Sequence, residues 1–213
     1  MKTIALHPAA KPPADDEELA RAEVYGLLAA LLAAPPGAEL YAQLQVAATE
    51  APAAGAFLEG SFGELVARAR RLTREAVGEE YDALFQGVGK PEVLLHASYY
   101  VAGTLNDTPL VVLRDDLRAL GLEPDPALAT TEDHVACLCE VMRYLIAGGD
   151  ERLATLAAQR RFFGAHLQGW TDALWDALAT HPRSDFYRAV AGFARDFLAV
   201  EAQAFEMLDA EGS

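Results

Sequence analysis

Cysteine is scarce: Cys137 and Cys139 are the only two in 213 residues. Two thiols cannot build a disulfide framework, and an i, i+2 spacing on a helix disfavours a bridge between them. Long apolar runs are missing too, and none approaches the roughly 20 residues that a membrane span needs. The opening stretch, Met1 to Pro8, holds too little apolar sequence for a secretory signal. These absences predict a reduced, cytoplasmic protein. Basic residues are in deficit, with 17 Lys and Arg against 32 Asp and Glu, a formal charge of −15. That balance argues against binding to nucleic-acid phosphates or to an anionic membrane, and it fits a basic or neutral partner better. No GxxxxGK(S/T), GxGxxG or GxSxG pattern occurs, and Gly87-Val88-Gly89 follows a helical stretch rather than a strand, so phosphate cradling has little support.

What is present is apolar and helical. Hydrophobic residues make up 52% and charged ones 23%, enough apolar material for a real core. Residues 1–14, with Pro8, Pro12 and Pro13, read as a loose arm. From Asp15 on, Val24, Leu27, Leu28 and Leu31 fall at i, i+3, i+4, i+7 on one helix, which Pro35-Pro36-Gly37 ends. A short helix is predicted over Leu40 to Ala47, followed by an Ala/Pro/Gly connection, Ala51 to Gly55. Ser61-Phe62-Gly63-Glu64 has capping-box spacing and predicts a helix start, with Leu65, Ala69, Leu72 and Ala76 as its apolar face. Tyr81, Leu84 and Phe85 resume the rhythm after Gly78. Residues 97–106 and 109–120 predict two helices divided at Pro109, and 121–131 a linker without periodicity. Thr130 or Thr131 is positioned to cap the next helix, which carries Val135, Leu138, Met142, Leu145 and Ile146 on one side and ends at Gly148-Gly149. Leu156, Phe163, Leu167, Trp170, Leu174 and Leu178 fit one long helix, and Val190, Phe193, Phe197 and Leu208 the last. Val111-Val112-Leu113 is the one short strand candidate, and its Arg/Asp-rich continuation favours helix. The expected fold is all-α: a single helical-bundle domain over 15–213, with a hinge before the C-terminal helices.

Few residues suggest chemistry. His134, Cys137 and Cys139 look like metal ligands in a line of text, but helical residues two apart point about 200° from each other. No second thiolate pair completes a tetrahedral site, so no metal or cofactor is expected. Asp133-His134 is the best acid–base pair. As adjacent helical residues they would not face each other; a dipole-complementing carboxylate and a core-facing histidine near Leu138, Val141 and Leu145 are the structural alternatives. No nucleophile stands out, and no catalytic residue is assigned. Peptide binding is the third class: the loop Phe85 to His96 and the Asp133 segment mix apolar side chains, histidine and carboxylates, as a groove for an amphipathic or basic peptide would.

Those segments resemble the TorD family of cytoplasmic chaperones, with its DmsD and NarJ types. The likeness runs through Arg21-Ala22-Glu23-Val24-Tyr25-Gly26-Leu27-Leu28-Ala29 and Glu80-Tyr81-Asp82-Ala83-Leu84-Phe85-Gln86-Gly87-Val88-Gly89, then on to Ser98-Tyr99-Tyr100. It continues in Gly103-Thr104-Leu105, Pro109-Leu110 and Leu113-Arg114, in Glu132-Asp133-His134 with Glu140 and Met142, and in Phe163, His166-Leu167 and Trp170. Val88 stands where the family has proline, Leu94-Leu95-His96 where Pro-Pro-Trp is common, and Thr131 where proline often precedes Asp-His. These departures imply a less rigid loop and a groove without that tryptophan.

The resemblance implies a non-enzymatic chaperone that binds the twin-arginine signal peptide, the apo-protein, or both, of a molybdenum-cofactor oxidoreductase until its cofactor is inserted. The stretch from His96 to Asp107, with Pro109-Leu110 and Leu113-Arg114 after it, is similar to members associated with formate dehydrogenases. By matching position, Asp133 would pair with a guanidinium and His134 would hydrogen-bond the peptide. Tyr81, Leu84 and Phe85 would pack beneath, and His96, Leu138 and Tyr25 complete the implied peptide-binding set. A monomer and a dimer swapped through the 121–131 linker are both compatible with the sequence. An assembly subunit without an export client, or a small helical metal-dependent or hydrolytic enzyme using Asp133 and His134, are the alternatives.

Overall fold

The computed structural model describes residues 2–3, 16–49, 56–87, 90–123, 129–148 and 152–211. The chain is all-α, as its periodicity predicts. Ten helices run α1 (Asp16–Ala33), α2 (Ala38–Val46), α3 (Ala56–Arg71), α4 (Arg74–Phe85), α5 (Ala97–Ala102), α6 (Thr108–Ala119), α7 (Val135–Ala147), α8 (Leu156–His166), α9 (Thr171–Thr180) and α10 (Phe186–Glu211) among the described residues. Two short strands, β1 (Lys2–Thr3) and β2 (Leu122–Glu123), pair in parallel. Apart from Lys2–Thr3, the expected arm 1–14 lies outside the described residues, as do the connection 51–55 and residues 124–128 of the expected linker.

The helices group into two compact units, residues 1–33 with 95–170, and residues 34–94 with 171–213. In the first, α1 packs along α7. The face that α1 buries carries Ala22, Tyr25, Leu28, Ala29, Leu31 and Leu32, while Val24 and Leu27, expected on the same stripe as Leu28 and Leu31, only flank it. Gly26 faces the Arg143 side chain of α7, whose Cδ a Cβ there would meet at 3.1 Å. In the second unit, α10 packs against α3, α4 and α9, and α2 lies on α3. Tyr41 stitches α2 to the end of α3 by donating its hydroxyl to the carbonyls of Ala69 (3.0 Å) and Leu72 (2.9 Å).

Several helix ends differ from the sequence expectation, each for a local reason. Ser61 lies inside α3, its hydroxyl bonded back to the Leu58 carbonyl, and begins no helix. The break falls instead at Thr73, whose Oγ1 accepts from the Ala76 N–H and starts α4, and α4 then runs through Gly78. Pro109 sits in the first turn of α6 behind the Asp107 cap, where its missing N–H costs nothing, and the division falls earlier, at Gly103 (φ 79°). The helix predicted from Leu156 to Leu178 is two: Gly169, at φ 92°, turns the chain between α8 and α9.

Candidate functional site

The site is built in the first unit where the chain before α5 meets the chain before α7. Residues 95–97 and 133–135 form one antiparallel bridge: Ala97 N–H donates to the Asp133 carbonyl (3.0 Å) and Val135 N–H to the Leu95 carbonyl (2.8 Å), with His96 opposite His134. This pairing holds His134 extended, so α7 cannot begin before Val135. His134 itself is the cap, its Nδ1 accepting from the Ala136 N–H at 3.2 Å. Neither Thr130 nor Thr131 caps α7, and neither Asp133 nor His134 is a helical residue. The helical-angle argument placing His134 beside Leu138, Val141 and Leu145 therefore fails.

Asp133 is turned toward α5. Its Oδ2 accepts from the backbone N–H (3.0 Å) and the hydroxyl (2.5 Å) of Ser98, and its Oδ1 accepts from the Thr131 hydroxyl (2.6 Å). The carboxylate thus caps the N-terminus of a neighbouring helix and is 1% exposed. Burial alone would raise its pKa; the bonds from Ser98 and Thr131, with the nearby His96, outweigh that and hold it below the usual carboxylate range. His134 is 8% exposed, and burial, reinforced by His96 against the pull of Asp133, pushes its imidazole down to about 4. At neutral pH the ring is uncharged, and with Nδ1 accepting, its proton sits on Nε2. His96 meets His134 edge to face, with ring centroids 5.0 Å apart. Its Nε2 lies 2.8 Å from the Thr130 hydroxyl, while Nδ1 is buried without a hydrogen-bond partner. Burial lowers its pKa as well.

Asp133 and Leu138 form part of the wall of a cavity of about 360 Å³ whose other lining residues include Val101, Pro109, Val112, Leu113, His166 and Trp170. The cavity is apolar with few polar groups, and its rim continues outward: Val101 is 60% exposed and Val112 50%. Val111 and Leu105 are exposed on the same two-helix stretch. Four apolar side chains are thus exposed along this stretch beside the cavity. The groove is not legible in the sequence: Val111-Val112-Leu113 is there only a short strand candidate set aside for helix, and nothing local sets Val101 apart.

The remaining expected residues are distributed otherwise. Tyr25 is fully buried on α1, a core position of the first unit. Tyr81, Leu84 and Phe85 belong to the second unit, where Tyr81 and Phe85 form an aromatic cluster with Tyr187 at centroid distances of 4.9 to 5.6 Å. Burial, with a smaller push from Asp82, raises the Tyr81 phenol to about 12. Glu80, beside them in sequence, was not singled out, yet its carboxylate accepts from the N–H groups of Asp185 (2.8 Å), Phe186 (3.0 Å) and Tyr187 (2.8 Å) at the start of α10.

Burial raises both thiols, Cys137 to about 11 and Cys139 further, so neither is a thiolate nucleophile at neutral pH. Among the described residues no three His, Cys, Asp or Glu side chains converge as metal ligands, and no helix is long and apolar enough to cross a membrane.

A family model described as the nitrate reductase delta subunit matches residues 34–176. No curated protein matches the chain.

Proposed function

The chain belongs to the nitrate reductase delta subunit family, a family of molybdoenzyme maturation chaperones, and on that premise we propose that it binds the twin-arginine signal peptide of a molybdenum-cofactor oxidoreductase in the cytoplasm, without catalysing a reaction. The observation that carries this reading is the apolar groove of α5, α6, α7 and α8, open at Val101 and Val112 in a chain of net charge −15. A leader's apolar run gains about 25 cal/mol for each Å² of apolar surface it buries there. The acidic field steers a basic, unexported leader toward the chain and sets selectivity more than raw affinity.

In this reading the implied peptide residues divide their work. Asp133, with every carboxylate oxygen already holding a donor, positions α5 and so shapes one wall of the groove rather than offering a bare carboxylate. His134 and His96 sit opposite each other on the backbone bridge that sets the spacing of α5 and α7, and Leu138 contributes apolar wall. Tyr25 supports α7 from behind. Tyr81, Leu84 and Phe85 keep the second unit folded, and any contact they make with the client is to its body. The similarity of residues 96–107 to formate dehydrogenase chaperones makes a formate dehydrogenase the favoured client.

Hydrogen–deuterium exchange of the chain with and without a molybdoenzyme's leader peptide tests the assignment. The reading expects protection over 97–119 and 156–170. Protection confined to residues outside those spans would refute it.

A further inference from the structure

Two cavities lie on successive turns of the same two helices. The first, described above, is lined on α6 by Val112 and Leu113 and on α8 by Ala165 and His166. The second, of about 320 Å³, is lined by Asp116, Ala119 and Leu120 beside Ala158, Arg161 and Phe162. From Pro109 to Leu120 this seam is about 16 Å long. A charged node separates the cavities. The Asp116 carboxylate lies 2.8 Å from His166 Nε2 through Oδ2 and accepts from the Arg161 guanidinium at 3.1 Å through Oδ1. His166 is buried, and its carbonyl accepts from the indole N–H of Trp170 at 2.8 Å, which ties the node to the wall of the first cavity.

The two partners of Asp116 differ in kind. His166 is fixed by packing, whereas the Arg161 side chain is 77% exposed. An ion pair with so exposed a partner contributes little and exchanges readily. The guanidinium seated there also belongs to an adjacent pair, Arg160-Arg161, the same doublet that a twin-arginine leader presents. Asp116 is thus a carboxylate aligned by a buried histidine, flanked by apolar cavities and occupied by a displaceable arginine.

We propose that Asp116 is the guanidinium subsite of the groove, that the chain's own Arg161 fills it in the free protein, and that an arginine of the incoming peptide displaces Arg161 while the peptide's apolar residues enter the flanking cavities. His166 is a positioning residue that orients the carboxylate. The proposal rests on the leader-binding reading above and deepens it: the partner is an arginine-bearing apolar peptide, and Arg161 restrains weak competitors.

The probes are two synthetic peptides, one an arginine pair followed by an apolar helical run and the other its lysine-pair version. Each is titrated calorimetrically into the full chain, Arg161→Ala and Asp116→Asn. The wild type is expected to prefer the arginine peptide. Removing the internal competitor in Arg161→Ala tightens that peptide by roughly threefold. Asp116→Asn, which keeps a partner for His166, weakens the arginine peptide by roughly tenfold and abolishes the preference over lysine. Unchanged or weaker binding in Arg161→Ala overturns the proposal, as does an arginine preference that survives in Asp116→Asn. If Asp116→Asn does not fold, the exposed Arg161→Ala variant decides alone. Binding of both peptides without preference removes this subsite and leaves the leader-binding reading standing; binding of neither removes both.

Discussion

Asp133 and Ser98, 35 residues apart, are joined twice: Oδ2 of the carboxylate accepts the serine's backbone N–H at 3.0 Å and its hydroxyl at 2.5 Å. A six-residue helix such as α5 makes few internal hydrogen bonds, so its first turn depends on this outside acceptor. Ser98→Ala is expected to cost about 2 kcal/mol, and Asp133→Ala, which strands three donors, about 4 kcal/mol. Urea unfolding followed by circular dichroism measures both. Equal stability of Ser98→Ala and wild type would contradict the capping role. At a temperature where Asp133→Asn is folded, its leader affinity should fall less than that of Val112→Asp on the groove's open rim.

Glu80 plays the corresponding part in the second unit, receiving three successive N–H groups at the start of α10. Glu80→Ala should destabilise by about 2 kcal/mol, with Glu80→Gln intermediate because its single amide oxygen still accepts. Thermal melts of the two variants check the order. If Glu80→Ala melts like wild type, the α10 cap carries no weight.

His134 sets an acid limit on the fold. Its folded pKa of about 4 lies below the 6.5 of an unconstrained histidine, so the unfolded chain binds more protons between those values. Stability present above about pH 6.5 is therefore lost as pH falls toward 4, by about 3 kcal/mol in all. His96, lowered in the same direction by burial, adds to the loss, whereas Asp133, held below 3.8, acts only at lower pH. Asn at position 134 keeps a capping oxygen for Ala136 and removes one titration. His134→Asn should match wild type near pH 7 and outlast it at pH 5 in denaturant melts. Identical pH profiles would contradict the assignment.

How much was legible follows from the range of each interaction. The α7 face was readable because 3.6-residue periodicity is local, and Pro35-Pro36 stops a helix whatever surrounds it; on α1 the expected stripe is half right, since Leu28 and Leu31 are buried while Val24 and Leu27 sit at its edge. His134 as a cap was hidden, since histidine is not a preferred capping residue and the bridge to residues 95–97 that forces it lies far away in sequence. Leu167, Trp170 and Leu174 continue the apolar rhythm across Gly169, so the α8–α9 turn was masked by spacing that suits both helices. The role of Glu80 needed a partner more than a hundred residues later. The groove was least visible of all, because it is a gap among elements rather than a property of any one of them.

The central claim is that the open apolar groove beside Asp133 receives a molybdoenzyme's twin-arginine leader. Calorimetric titration of such a leader peptide into wild type and Val112→Asp tests it most directly, since Val112 is half exposed and its replacement leaves the core untouched. The account predicts saturable binding to wild type and affinity lower by roughly tenfold in Val112→Asp, with the two proteins equally stable. Equal affinity in the two proteins, or no binding by the wild type, would contradict it.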